Sequence, residues 1–211
     1  MFNTILEKTA QHLFISLSAL LIALCIALPL GFYLSRKRNQ KTTLLVIRGI
    51  SLIQTIPGLA MIAVIVIALV GICQFVSIPT TGYLPGVIAL SLYAISPVLT
   101  NTYTGIRQTS PQMIDIATGL GMTKRQILFL VQAPHAIPMI MAGVRIAGVW
   151  TIGMCTLASL VGSGGLGDLI LQGLRTMNVQ LVLAGTIPAA ILAIFFEWGM
   201  TWVEKWLRVD I

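Results

Sequence analysis

Long apolar stretches separated by short polar segments dominate this chain. A membrane-spanning helix needs roughly 20 apolar residues to cross about 30 Å of hydrocarbon. Stretches of that length cover approximately residues 13–34, 50–75, 83–106, 137–161 and 179–203. They lack the short alternating pattern of barrel strands, and helices satisfy their own backbone hydrogen bonds in lipid. The pattern predicts an all-α membrane protein with about five transmembrane helices in a single domain, residues 1–211.

The composition supports this prediction. Of the 211 residues, 57% are hydrophobic and 9% are charged, whereas soluble domains carry roughly 25% charged residues. The longest polar segment, 107–135, is too short to form an independent core. The first apolar stretch is longer than a signal-peptide core, and its basic residues follow it, so we expect a retained helix.

The net charge of +7 does not indicate nucleic-acid binding, because its distribution follows the apolar stretches. Basic residues are enriched on the cytoplasmic side of membrane proteins. Ten of the thirteen fall on one predicted side: Arg36, Lys37, Arg38, Lys41, Arg48, Arg107, Lys124, Arg125, Lys205 and Arg208. We therefore expect the N-terminus outside, the C-terminus inside and segment 107–135 in the cytoplasm.

Segment 107–135 carries helix signals although it lies outside the membrane. Ser110-Pro111 is typical of an N-cap followed by a first-turn proline. Thr123 and Gln126 have the spacing of a capping box. Two glycines interrupt between these signals, and a proline at 134 disfavours helix in the residue before it. The prediction is helix, glycine bend and a second helix ending near Val131.

The same segment carries chemistry suited to docking. Lys124 and Arg125 lie at the positive end of the second predicted helix, where cations are unfavourable. Their retention indicates an acidic or backbone partner, although positive-inside topology alone also requires cytoplasmic bases. We predict that this segment is a docking loop in which Lys124 and Arg125 face the partner.

Polar and helix-breaking residues inside the apolar stretches form a second candidate site. Polar groups are costly against lipid, so they indicate a bundle interior or a substrate pathway. Contacts between helices explain them equally well. The candidates for a pathway are Gln54, Pro57, Tyr93, Asn101, Tyr103 and Trp150.

The glycine-rich run 162–167 formally fits G-x-G-x-x-G. A dinucleotide site is excluded because the run follows a membrane span and no strand precedes it. Gly162, Gly164, Gly165 and Gly167 instead favour a sharp turn with close helix approach.

Other residues have simpler expected roles. Cys25, Cys73 and Cys155 lie in apolar stretches and are expected to be small buried hydrophobic residues rather than disulfide partners. Trp198, Trp202 and Trp206 share one helix face, as in an aromatic belt at the inner boundary. Glu204 and Arg208 are spaced for an i,i+4 pair. Arg145 is either an intramembrane charge of functional importance or a marker of the inner boundary.

The spacing from Asp115 to Pro134 resembles the coupling loop of permease subunits of ATP-binding-cassette (ABC) importers. The pattern begins with an acidic residue, any residue and Ala, here Asp115 and Ala117. Three residues then separate Ala117 from Gly121, and nine separate Gly121 from the aliphatic Val131, which precedes Pro134 by three positions. Asp replaces the usual Glu, and Ile116 replaces the first of two alanines. Other segments resemble the osmoprotectant branch of that class: Gln54-Thr-Ile-Pro57, Asn101-Thr-Tyr-Thr-Gly105, Trp150-Thr-Ile-Gly153 and Gly162–Asp168.

The resemblance implies a type I ABC importer permease fold with a cytoplasmic coupling helix, and uptake of glycine betaine, carnitine or choline. It implies two cytoplasmic ATPase subunits, a second permease chain and an external binding protein as partners. It also implies that the ATPase couples to the loop residues Asp115, Ala117, Gly121, Met122, Lys124, Arg125, Val131 and Pro134. The 162–167 run would lie near the external gate. The chain lacks a Walker A pattern, so it is expected to be non-catalytic and free of cofactors, with ATP and magnesium held by the ATPases.

Two alternatives remain from the sequence. One keeps the importer class and changes the cargo to an amino acid such as methionine. The other is a channel or secondary transporter without an ATPase, against which the docking loop and the short chain argue.

Overall fold

The apolar stretches fold into long helices that dominate the structure, a computed structural model that describes residues 2–37 and 39–207. Four helical segments in this part of the chain are long and apolar enough to cross a membrane. They are Phe2–Arg36 (α1), Tyr83–Arg107 (α4), Lys124–Val161 and Val179–Leu207 (α9). The described residues contain no strand.

The stretch predicted at 50–75 is bent at its helix-breaking residues. One helix covers Gln40–Leu52 (α2) and continues as a tight turn through Thr55, and the next covers Gly58–Cys73 (α3). The two meet at 102°, because Pro57 lacks an N–H and fixes its own backbone angle. If the bent pair crosses as one unit, the chain has up to five spans.

The segment Lys124–Val161 is continuous although it contains three kinds of helical turn. A short α-helix, Lys124–Gln126 (α6), passes into a wider π-turn at Ile127–Gln132 and then into the long helix Ala133–Ala158 (α7), and a tighter 3-10 turn at Ser159–Val161 ends it. Pro111–Gly119 (α5) precedes this segment, and Gly167–Arg175 (α8) follows it.

Small residues allow α1 to pack closely along α4. The buried face of α1 carries a small residue about every four positions, which places them on one side of the helix. They are Ser16, Ala19, Ala23, Ala27 and Gly31. A Cβ at Gly31 would lie 2.7 Å from the Thr102 methyl carbon of α4. Close backbone approach of this kind is the usual source of helix association in membranes.

Helices α4 and α7 form the centre of the bundle and depend on Gly143. A Cβ at Gly143 would lie 2.7 Å from the Asn101 Cβ and 2.8 Å from the Pro97 carbonyl oxygen. Gly143→Leu is therefore expected to lower stability by about 1–3 kcal/mol through overpacking. The measurement is the thermal midpoint of the purified permease in detergent. Gly199→Leu on α9 is the control, since a Cβ at Gly199 meets no atom within 4 Å. Equal midpoints for the two variants would contradict this packing.

Helix α9 packs on α7 at one flank and presents three tryptophans away from it. Gly148 of α7 lies against the Phe196 ring. Trp198, Trp202 and Trp206 are 67–79% exposed and share one face, so the aromatic-belt prediction fits the helix geometry.

Candidate functional site

The first helix of the loop forms as its sequence indicates. The Ser110 hydroxyl accepts a hydrogen bond from the Met113 N–H, and Pro111 occupies the first turn. At the other end Gly121 adopts a left-handed backbone with φ of +78°. The Met122 N–H then donates to the Ala117 carbonyl and the Gly121 N–H to the Thr118 carbonyl, at 3.1 and 2.9 Å. This pair of bonds is the Schellman motif, which ends α5 and reverses the chain.

The second helix starts at the predicted capping box. The Gln126 N–H donates to the Thr123 hydroxyl, and the Thr123 N–H donates to Gln126 Oε1 at 2.8 Å. Lys124 and Arg125 are exposed in this first turn. Helix, glycine bend and capped second helix are thereby confirmed.

The prediction that the second helix ends near Val131 is wrong. The chain stays helical through Pro134 and joins α7 without a break. A proline in an α-helix clashes with the carbonyl four residues earlier. Here the preceding turn is widened, with the Ala133 N–H bonded to the Leu128 carbonyl five residues back. The π-turn accommodates Pro134, so the loop is rigidly connected to a long helix.

The helix–bend–helix encloses an exposed apolar groove of about 300 Å³. Ile116 and Leu120 are 65% and 75% exposed on its rim, and Ala117 is buried at its base. The complete lining is Met113, Ile116, Ala117, Leu120, Met122 and Val131. Large apolar side chains exposed together in a concave surface are typical of a protein interaction site. We call this surface the loop groove.

The remaining docking residues surround the loop groove without lining it. Asp115 is exposed on α5. On the opposite side of α5 a second cleft of about 270 Å³ contains Arg36, Thr118 and Lys124. The end of α1 therefore lies beside the loop, and basic side chains from both converge there. No group of three His, Cys, Asp or Glu residues in the described part of the chain is placed to hold a metal.

The glycine-rich run forms a turn that contacts the start of α1. Gly162, Gly164 and Gly165 have φ values of +80° to +86°, which glycine alone adopts readily. The Gly165 N–H donates to Gln11 Oε1 at 3.0 Å. A Cβ at Gly164 would lie 2.3 Å from the Gln11 side-chain nitrogen. The glycines thus allow the turn to approach α1 closely, as predicted, and the side chain in contact with them is that of Gln11.

An ion pair adds to this contact. Lys8 Nζ lies 2.5 Å from Asp168 Oδ2, and both side chains are partly exposed. The buried His12 ring bonds to the Ile152 carbonyl of α7 at 3.0 Å. Neither Lys8 nor Gln11 was among the predicted site residues. Their i,i+3 spacing at the start of an apolar helix was the available signal.

Three pathway candidates come together at the bend between α2 and α3. The Tyr93 hydroxyl of α4 donates to the Ile56 carbonyl, which the bend leaves without a helical partner. Gln54 Nε2 in turn donates to the Tyr93 carbonyl at 3.3 Å. With Pro57 these residues satisfy the broken backbone, as the interior of a membrane protein requires. Their geometry favours the helix-contact interpretation.

The other three candidates lie apart from this bend. Asn101 donates to the Pro97 carbonyl at 2.8 Å and packs against Gly143. Tyr103 packs on the cluster between α1 and α4. Trp150 is 55% exposed on α7. Of the six candidates, Trp150 alone combines a large exposed ring with a neighbouring cavity.

Arg145 pairs with α9. Its guanidinium donates to Glu204, and the two side chains are 29% and 24% exposed. Glu204 lies three residues before the end of α9, so the pair marks the level at which α9 ends. Arg208, the predicted partner of Glu204, lies outside the described residues. A cavity of about 190 Å³ opens beside Arg145 and is lined by Arg145, Ile146, Val149, Trp150 and Glu197.

Comparison with known proteins adds three findings. Residues 27–209 match the family described as "Binding-protein-dependent transport system inner membrane component". The chain is 41% identical over 202 residues to the carnitine transport permease protein OpuCB of Listeria monocytogenes, covering 96% of this chain and 87% of that protein. It is 38% identical over 201 residues to the glycine betaine/carnitine/choline transport system permease protein OpuCB of Bacillus subtilis strain 168, covering 95% and 87%.

A solved structure shares the fold. The superposition on an inward-facing MetNI methionine ABC transporter has a TM-score of 0.84 and covers 99% of this chain and 98% of that chain. Sequence identity to it is 17%, so this likeness concerns the arrangement of helices only.

Proposed function

The chain belongs to the family of binding-protein-dependent transport system inner membrane components, and from that premise we propose that it imports quaternary-amine osmoprotectants as the permease subunit of an ABC importer. The type I importer fold follows from the likeness to the solved transporter. The role of a transport permease follows from the family. An ATPase and a substrate-binding protein are the general partners of such a permease.

Identity across nearly the whole chain carries the assignment of cargo. The relatives named for carnitine and for glycine betaine/carnitine/choline are 38–41% identical over at least 95% of this chain. The methionine transporter shares the fold at 17% identity. Quaternary amines are therefore favoured over an amino acid. Membership of the family argues against a channel or secondary transporter.

The loop groove supports a specific mode of coupling. Its exposed Ile116 and Leu120 would be costly in water unless a partner covers them. We propose that a cytoplasmic ATPase subunit docks there, near the exposed charges Asp115, Lys124 and Arg125. Because the π-turn joins the loop to α7 without a flexible linker, movement of the loop would tilt α7. The chain itself would then need no ATP or magnesium.

The distribution of charge supports an orientation. Arg36, Lys124 and the loop lie together at one end of the bundle, whereas Lys8 pairs with Asp168 beside the glycine-rich turn. By the positive-inside rule the loop end would be cytoplasmic. The N-terminus and the glycine-rich turn would face outward, where a loaded binding protein delivers substrate.

A single chain offers few helices to line a pathway, so we propose two permease chains above two ATPases. ATP and the loaded binding protein would each favour a different state of this assembly, because a ligand shifts an equilibrium only by its differential affinity.

Uptake of labelled carnitine tests the cargo. Proteoliposomes would contain the purified complex, its binding protein and enclosed ATP. Unlabelled glycine betaine and choline are expected to compete, while methionine at the same concentration has no effect. Competition by methionine alone would keep the importer class and contradict the cargo.

A further inference from the structure

Helix α7 presents an exposed stripe that the other described residues leave uncovered. Its opposite face contacts α1, where the His12 ring bonds to the Ile152 carbonyl. Ile146, Trp150 and Gly153 form the exposed stripe, and their spacing of three or four places them on one side of the helix. The cavity beside Arg145 opens on this stripe.

Helices α3 and α9 contact α7 at positions outside the stripe. Gly58 at the start of α3 contacts the Met154 side chain, and Phe196 of α9 contacts Gly148. Neither contact covers the stripe. In the proposed pair of permeases, a surface of this kind would form one wall of the pathway.

The chemistry inside the cavity is unusual for a membrane helix. Charged groups in such segments are costly and tend to have functional roles. Glu197 is exposed and precedes Glu204 by seven residues, which places both on one side of α9. One terminal guanidinium nitrogen of Arg145 donates a hydrogen bond to Glu204. The buried Arg145 Nε has no hydrogen-bond partner among residues 2–37 and 39–207. A cationic hydrogen-bond donor (Arg145), a carboxylate (Glu197) and the Trp150 ring thus line the same cavity.

We propose that this cavity binds a zwitterion with a quaternary ammonium group during transit; the inference rests on the proposed function. The ligand's carboxylate accepts from Arg145. Its methylated ammonium, which has no N–H to donate, lies against the Trp150 ring and near Glu197. Tryptophan is the most favourable ring for a quaternary ammonium. The volume of about 190 Å³ is many times the roughly 10–15 Å³ that one water requires.

A phosphatidylcholine headgroup has the same chemistry as the proposed ligand, with a phosphate in place of the carboxylate. Lipid composition separates these two sources. Pure phosphatidylglycerol nanodiscs contain no quaternary amine, so binding of free glycine betaine there reports on the small ligand. Addition of phosphatidylcholine then tests whether a lipid headgroup competes for the site.

The experiment measures equilibrium binding of radiolabelled glycine betaine to the permease–ATPase complex in phosphatidylglycerol nanodiscs, without binding protein. Saturable binding is expected, and Trp150→Leu and Glu197→Gln should each weaken it about tenfold, within the range of a desolvated cation–π contact. Choline, which lacks a carboxylate, should compete less well. Trp202→Leu is the control, because Trp202 is 72% exposed and does not line the cavity. Trp150→Phe keeps a ring and should lose less than Trp150→Leu.

Three results would overturn the proposal. One is the absence of saturable binding to the unmodified complex, and another is an affinity in the Trp150→Leu and Glu197→Gln complexes equal to that of the unmodified complex. The third is loss of betaine binding in proportion to added phosphatidylcholine, which would assign the cavity to a lipid headgroup. Uptake by the unmodified complex with its binding protein is measured in parallel. Uptake without binding at this cavity would reject the site alone, whereas failure of uptake would reject the proposed function as well.

Discussion

An aspartate in place of Leu120 is expected to detach the ATPase from the permease. Leu120 is 75% exposed at the rim of the loop groove, and docking would remove it from water. A charge at that position would lose its hydration without gaining a partner. A hot-spot residue of an interface contributes about 2 kcal/mol or more, so with Leu120 in that role the affinity should fall about 30-fold or more. The measurement is the amount of ATPase that co-purifies with the tagged permease, together with uptake.

Thr118→Asp provides a matched control for this variant. It adds the same charge two residues earlier, in the last turn of α5, but Thr118 lines the second cleft and not the loop groove. It should leave co-purification close to that of the unmodified chain. Equal loss in both variants would indicate a general effect of charge on the loop. Full retention of the ATPase by Leu120→Asp would reject the groove as the docking surface.

Gly121→Val is expected to abolish uptake while leaving the protein in the membrane. A Cβ at Gly121 meets no atom within 4 Å, so steric overlap within the chain is not the cause. The cause is the φ of +78°, which costs a residue with a side chain roughly 1–2 kcal/mol and a β-branched one more. The Schellman bend should open and move α5 relative to α6. Uptake is measured against the membrane level of each variant.

Gly121→Asn separates backbone strain from other effects of a side chain, because asparagine tolerates the left-handed conformation. It should retain most of the uptake. Normal uptake in Gly121→Val would reject the role of the bend. An equally complete loss in Gly121→Asn would show that any side chain there blocks a partner, and would reject backbone strain as the cause.

The loop was largely predictable because its signals are local. The Ser110 cap, the Thr123–Gln126 capping box and the glycine bend each involve residues within a few positions of one another, and all three are confirmed. The continuation of the helix through Pro134 was not predictable. Proline normally ends or kinks a helix, and whether a π-turn accommodates it depends on the packing of Ile127 and Leu128, both buried.

Contacts between distant parts of the chain account for the other differences. The polar residues of the apolar stretches indicated either a pathway or helix contacts. For Tyr93, the hydrogen bond from its hydroxyl to the Ile56 carbonyl, 37 residues away, favours the helix contact. Gln11 and Gly165 are 154 residues apart, and no local pattern links them. Likewise Arg145 pairs with Glu204, 59 residues away, and no local pattern predicts that pair.

ATP hydrolysis by the affinity-purified complex in lipid nanodiscs, with its binding protein present, tests the central claim most directly. Glycine betaine, carnitine, choline and methionine are added one at a time. A quaternary amine is expected to raise the hydrolysis rate, since loaded binding protein favours the state that turns over ATP. Stimulation by methionine alone, or purification of the permease without any ATPase, would contradict the account.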